Sequence, residues 1–146
     1  DSIAMAILLF LERKKLVVEG AGAAPLAALI ENKDKFKGKR IVLVVSGGNI
    51  DFTLIDRIIH KGLVTSGRMG VFGAVVDDIP GSLHYVTGVI ASHRGNVLDV
   101  VHDRLAGDLP VGKTKVVFTV EVKGREHLNE ILSELEAKGF GVRRYK

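Results

Sequence analysis

The stretch DDIPGSLHYVTGVIASHRGNVLDVVHDR (residues 77–104) decides the fold of the second half of this 146-residue chain. Residues 77–83 set proline and glycine side by side, the punctuation of a tight turn. Over residues 82–93 the apolar positions Leu83, Val86, Val89 and Ile90 recur at the three- and four-residue spacing of one helix face. Residues 96–104 then read as a strand. Working outward, residues 69–76 supply a strand before the turn, and AGDLPVGK (106–113) is a loop after the second strand. Residues 114–122 alternate cleanly, with Val116, Phe118, Val120 and Val122 on one face. Residues 125–138 form an amphipathic helix through Leu128, Ile131, Leu132 and Leu135; Gly139 stops it, and 140–145 is a last strand. The order βαββαβ predicts an α+β, split ferredoxin-like sheet with helices on one face. The other face has no helix to cover it, so pairing with a second copy is expected.

Upstream the rhythm changes. Asp1 or Ser2 can cap a helix to about residue 15, and Leu16-Val17-Val18 reads as a short strand ending in EGAGAAP (19–25). Helix signals resume over 23–32. Residues 40–45 are a second, continuously apolar strand of the kind buried on both faces of a parallel sheet. That run halts at Ser46-Gly47-Gly48-Asn49, and residues 51–61 are helical again, with Leu54, Ile55, Ile58 and Ile59 on one face. Alternating strand, loop and helix is the pattern of an α/β layer. Residues 3–11 are apolar all round, so the first helix expects protein on nearly every side, more than two strands and three helices supply. The expectation is that 1–64 is the tail of a larger α/β domain whose beginning lies elsewhere, 65–70 a linker, and 71–146 a second domain.

Composition narrows the function classes. Apolar residues make up 47% and charged residues 26%, which suits a globular chain. The longest apolar run is far short of the roughly 20 residues that span a bilayer, so neither a membrane partner nor a secretory signal is expected, and a cytoplasmic address fits. There is no cysteine, hence no disulfide, thiolate metal site or thiol nucleophile. The net charge of +4 is spread rather than clustered; KDKFKGKR (33–40) is the one basic cluster, holds a single aromatic and reads as a solvated loop, so no nucleic-acid partner is expected. His60, His84, His93, His102 and His127 lack metal-ligand spacing and are assigned structural or surface roles. Asp77-Asp78 beside the turn lacks the further oxygen ligands a cation needs, so no metal is expected.

Two resemblances meet in these residues. The Asp-x-Pro-Gly-x-Leu turn of residues 78–83, followed by Gly95-Asn96-Val97, resembles the first half of an ACT domain, the module that binds amino acids and regulates metabolic enzymes. VVEGAGAAPLAAL (17–29) and VVSGGNID (44–51) resemble the end of the catalytic domain of threonine dehydratase (threonine ammonia-lyase), a fold-type II pyridoxal-phosphate enzyme. The likeness covers essentially the whole chain. It implies a lyase that converts L-threonine, with L-serine as a second substrate by the same route, to a 2-oxo acid and ammonia, with pyridoxal 5'-phosphate as cofactor.

The resemblance assigns Ser46 to the cofactor's pyridine nitrogen, where a neutral hydroxyl favours β-elimination over transamination. Gly47 and Gly48 would let the backbone approach the ring, and Glu19 matches an acidic residue near it. On the residues alone, Ser-Gly-Gly-Asn is more often a strand-to-helix cap, with Asn49 as N-cap, than a cofactor contact, and Glu19 reads as an exposed turn residue. The family's Schiff-base lysine lies in a Ser-Phe-Lys-like motif that this chain lacks, as it lacks the Gly-rich phosphate loop, so the chain by itself is expected to be inactive. In the ACT portion the resemblance places an amino-acid effector at Asp78, Ile79, Pro80, Gly81, Ser82 and Leu83, with Asp78 and Asn96 meeting its ammonium and carboxylate. Isoleucine or valine is the expected effector, bound in a homodimer or tetramer. The alternatives are a stand-alone amino-acid-binding module and a structural dimerisation unit without catalysis.

Overall fold

A computed structural model describes residues 1–104 and 109–145. The chain divides into two units, Asp1–Gly62 and a second that begins at Leu63. Of the loop expected at 106–113, residues 106–108 lie outside the described residues.

In the first unit, α1 (Ser2–Leu9) passes into a π-helical turn over Phe10–Lys14. Lys15 closes it in the left-handed region (φ 57°), and the Leu16 N–H reaches back to the Phe10 carbonyl at 3.2 Å. The Asp1 side chain does not cap this helix; it accepts from Lys61 Nζ instead. Ala6, Ile7 and Phe10 are buried with Val18, Ala23, Ala27 and Ile58, while Ile3 stays 45% exposed. The cover on every side expected for this helix is therefore not met within the unit.

Four expectations are corrected here. Residues 16–18 and 40–45 are not strands, because neither has a ladder partner among the described residues; just beyond the two runs the Glu19 N–H donates to the Gly47 carbonyl at 3.1 Å. Val42 and Val44 are 89% and 72% exposed, the reverse of the two-sided burial their composition implies. Second, α2 (Gly20–Glu31) begins inside EGAGAAP, with Pro25 within the helix. Glu19 is extended at the N-cap (φ −80°, ψ 172°), and the Ala23 N–H bonds its carbonyl at 2.9 Å, which starts the helix before the proline. Third, the basic cluster holds one exposed helical turn, α3 (Lys33–Phe36). The following helix, α4 (Phe52–Thr65), is capped by Asp51 rather than Asn49: Asp51 Oδ1 accepts from the Thr53 N–H at 2.7 Å and from Thr53 Oγ1 at 2.8 Å. These bonds hold the Asp51 carboxyl below its ordinary pKa.

The second unit has the ferredoxin-like βαββαβ fold: β1 (Met69–Asp77), α5 (Ser82–Ser92), β2 (Asn96–Asp103), β3 (Lys113–Glu121), α6 (Arg125–Ala137) and β4 (Gly141–Arg144). The sheet order is β2-β3-β1-β4 with every neighbouring pair antiparallel. The register Phe72↔Phe118, Ala74↔Val116 and Gly70↔Val120 sets these residues on one face, where Val86, Val89 and Ile90 of α5 and Leu128, Ile131 and Leu135 of α6 bury them. Phe72 and Phe118 stack with ring centroids 5.4 Å apart. The opposite face carries Val71, Val75, Val117 and Val101, the last 53% exposed. Tyr145 lies over Gly73 there; a Cβ built on Gly73 would sit 2.6 Å from its hydroxyl.

The helix pair is tied by histidines. His127 Nδ1 accepts from the Lys123 N–H at 3.1 Å, and its Nε2 donates to the His93 carbonyl at 2.6 Å. One imidazole thus serves an orphan carbonyl at the end of α5 and an amide just before α6. His93 Nε2 contacts Glu134 Oε2 at 2.7 Å, and this bond, with a smaller pull from Lys138, lowers the Glu134 pKa. A depressed carboxyl contributes stability above its unfolded pKa that is lost as pH falls through the folded one. Glu134→Gln should therefore destabilise the chain at neutral pH, with the difference from the parent shrinking as acid protonates the carboxyl, read by urea titrations at neutral and acid pH. A difference that persists unchanged in acid would assign the effect to packing instead.

Candidate functional site

The turn that leaves β1 builds one side of a cavity of about 280 Å³. Asp78 is held in place by its own N–H, which donates to the Gly112 carbonyl at 2.9 Å. Gly81 takes φ 93°, a left-handed value open to glycine at little cost, and serves as the N-cap of α5. Ser82 and His84 N–H groups bond Ile79 and Gly81 carbonyls at 3.3 and 3.0 Å. Asp78, Ile79, Pro80, Gly81, Ser82 and Leu83, all expected from the turn motif, line the cavity. Its other side is His102 and Arg104, which the sequence reading missed. They lie two residues apart at the end of β2, and His102 pairs with the buried Val116, so its position is on the face that carries α5. The i, i+2 spacing of histidine and arginine at a strand end was the available signal. Arg104 Nη2 lies 3.2 Å from Asp78 Oδ1, and Asp77 pairs separately with Lys113 at 2.7 Å. Each carboxylate of the Asp77-Asp78 pair thus has its own cation.

Asn96 is not part of this cavity. It stands opposite Glu121, whereas Asp78 lies beside Gly112 at the other end of β3. The separation is about 26 Å of strand at about 3.3 Å per residue. Within one copy, therefore, Asp78 and Asn96 cannot hold the two ends of one amino acid. β2 is an edge strand whose residues Leu98, Val100 and Val101 are 46%, 39% and 53% exposed.

The first unit brings Glu19, Ser46, Gly47 and Gly48 together. A Cβ on Gly48 would lie 2.7 Å from the Val17 carbonyl oxygen, and one on Gly47 would run into the Glu19 carboxylate. A Cβ on Gly22 would lie 2.7 Å from the Gly47 carbonyl oxygen. The glycines are thus required by the close approach of the 46–48 loop to residues 17–22, and Gly22 is a member of the cluster that the motif did not single out. Ser46 is exposed on this loop, and a hydroxyl is a donor of the kind a pyridine nitrogen accepts.

His93, His127 and Glu130 bring ligand-type atoms within 4.8 Å of one another. Both ring nitrogens of His127 are committed to backbone partners, which argues for the helix tie over a metal. Among the described residues no helix is long and apolar enough to cross a membrane.

No protein-family model matches the chain. Over 143 residues, 98% of its length, it is 47% identical to the L-threonine ammonia-lyase of Thermotoga maritima, of which it covers 35%. It is 42% identical over 142 residues to the L-threonine ammonia-lyase of Geobacter sulfurreducens, covering 97% of this chain and 35% of that protein. The biosynthetic L-threonine dehydratase IlvA of Halalkalibacterium halodurans is 29% identical over 142 residues, covering 97% of this chain and 33% of that protein. The chain thus spans about a third of the length of the curated relatives it matches. Among solved structures, the ACT domain from GTP pyrophosphokinase of Chlorobium tepidum is similar with a TM-score of 0.42 and 22% identity, over 53% of this chain and 96% of that one.

Proposed function

Because the chain is homologous to the C-terminal part of the L-threonine ammonia-lyases, we propose that it serves a pyridoxal-phosphate lyase acting on L-threonine, and that its second unit pairs two copies and binds a regulatory amino acid between them. Residues 1–64 belong, in this reading, to the catalytic domain, 65–70 to a linker and 71–146 to an ACT domain, in a cytoplasmic enzyme that feeds isoleucine synthesis. Ser46, Gly47, Gly48 and Glu19 are its residues toward the cofactor. The cofactor, when bound, supplies an electron sink for loss of the α-proton and β-hydroxyl of the substrate. Ser46 would hydrogen-bond the ring nitrogen without the charge that would keep it protonated. Gly22, Gly47 and Gly48 keep that loop against residues 17–22. With no Ser-Phe-Lys-like motif, the 146 residues alone would not turn over threonine.

The observation that carries the regulatory half is the placement of Asp78 and Asn96 at opposite ends of the sheet, with β2 an exposed edge. Two β2 edges joined antiparallel about a two-fold axis would bring Asn96 of one copy beside residues 102–104 of the other, the rim of the Asp78 cavity. Each effector then meets Asp78 of one copy and Asn96 of its partner. One observation favours a pairing domain that binds nothing: Asp78 already has Arg104 as its counter-ion. Calorimetric titration of the chain with isoleucine, valine, threonine and serine separates the two. Isoleucine or valine is expected to bind, and Asp78→Ala and Asn96→Ala each to weaken it about tenfold or more, the loss of a charge-assisted hydrogen bond. If none of the four binds, the pairing domain stands.

A further inference from the structure

We propose that Arg104 is a built-in counter-ion of the Asp78 cavity: it holds Asp78 in the absence of effector and passes to the effector's carboxylate when the effector's ammonium takes Asp78. The inference rests on the effector reading of that cavity and adds to it a rule of selectivity, that the pocket takes zwitterions and rejects simple amines.

Four observations lead to it. Arg104 and Asp78 come from different elements, the end of β2 and the end of β1, and meet across the cavity at 3.2 Å. The contact is through one guanidinium nitrogen, and a guanidinium has five donors in a planar fork, so donors remain for a second carboxylate. The pair is half open to water, with side chains 66% and 36% exposed, and exposed ion pairs are weak enough for a ligand to exchange. Ile79, 64% exposed, and the half-buried Leu83 add an aliphatic wall.

Charge conservation then decides the ligand class. An amino acid brings one positive and one negative group. Its ammonium replaces the guanidinium at Asp78, its carboxylate replaces Asp78 at Arg104, and every charge keeps a partner. The carboxylate would also lie toward the start of α5, an 11-residue helix whose dipole favours a negative group. A simple amine must win Asp78 from Arg104 and leaves the guanidinium without a partner. Arg104 is therefore a specificity residue: it penalises amines and rewards amino acids.

The test compares each amino acid with the amine that lacks only its carboxylate: isoleucine with 2-methylbutylamine, valine with isobutylamine, threonine with 1-amino-2-propanol and serine with ethanolamine. Titrations use the 146-residue chain, and circular dichroism checks that variants remain folded. For the amino acid that binds, Arg104→Ala should weaken affinity about tenfold or more while affinity for the matching amine rises, and Arg104→Lys should fall between. Opposite signs for the two ligands are the signature, since loss of the pocket would weaken both. Arg104→Ala binding the amino acid as the parent does, or losing both ligands together, overturns the counter-ion proposal and leaves the effector reading standing. A parent chain that binds none of the four amino acids removes the effector reading, and the counter-ion role with it.

Discussion

Phe118→Ala is expected to remove a large share of the stability of the sheet unit. Phe118 is fully buried on β3, the strand between β2 and β1, and stacks on Phe72 under both helices. Truncating a buried phenylalanine costs about 3–5 kcal/mol, from lost transfer energy and the cavity left behind. The stacked ring pair contributes about 0.5–1.5 kcal/mol of that. A domain of this size has about 4–13 kcal/mol in total, at about 0.05–0.15 kcal/mol per residue. Urea unfolding should show a midpoint lower by about 2–3 M at a slope of about 1.5 kcal/mol per M. Phe118→Leu, which keeps most of the volume, should cost about 1.5 kcal/mol or less. A midpoint for Phe118→Ala within about 0.5 M of the parent would mean that the helices do not pack on this ring.

Gly22→Ala and Gly88→Ala should move stability in opposite directions although both replace a glycine inside a helix. Alanine gains about 1 kcal/mol over glycine in a helix interior. At Gly88 a Cβ meets nothing within 4 Å, so that gain stands alone. At Gly22 the Cβ would lie 2.7 Å from the Gly47 carbonyl oxygen, a backbone atom that cannot swing aside. Relief requires the 46–48 loop to move off α2, which strains the packing by about 1–3 kcal/mol and endangers the Glu19–Gly47 hydrogen bond, worth about 0.5–1.5 kcal/mol. The net expectation is a loss of about 1–2 kcal/mol, concentrated at residues 17–22 and 46–48, read by hydrogen exchange at individual amides. Gly47→Ala should cost less, because its obstacle is the mobile end of Glu19. Equal exchange at these amides in the Gly22 variant and the parent would show that the loop does not rest on the helix.

What could be read from the sequence divides along the same line. The sheet unit was legible nearly residue by residue because its ladder partners lie within the chain: every alternating residue from Val116 to Val122 is buried as its pattern requires. The apolar runs at 16–18 and 40–45 were misread because composition reports what a strand can bury, while a ladder also needs a neighbour to bond. Asp51 displaced Asn49 as cap because its carboxylate reaches both the amide and the hydroxyl of Thr53. At the candidate site the turn was legible from Pro80 and Gly81, whose conformations are local. Arg104 was legible only through its spacing from His102; its meeting with Asp78 depends on where β2 and β1 end on either side of β3, which that spacing does not report.

The central claim is that one effector site is shared by two copies, Asp78 from one and Asn96 from the other. Under two-fold symmetry each dimer has two such sites, and each variant alone damages both. Asp78→Ala and Asn96→Ala chains unfolded together, refolded and titrated with isoleucine or valine test this directly. Half of the randomly paired dimers would be mixed, and each mixed dimer would rebuild one intact site from the two undamaged residues, restoring about a quarter of the parent's sites at parental affinity. A mixture that binds no better than the two variants apart would contradict the shared site.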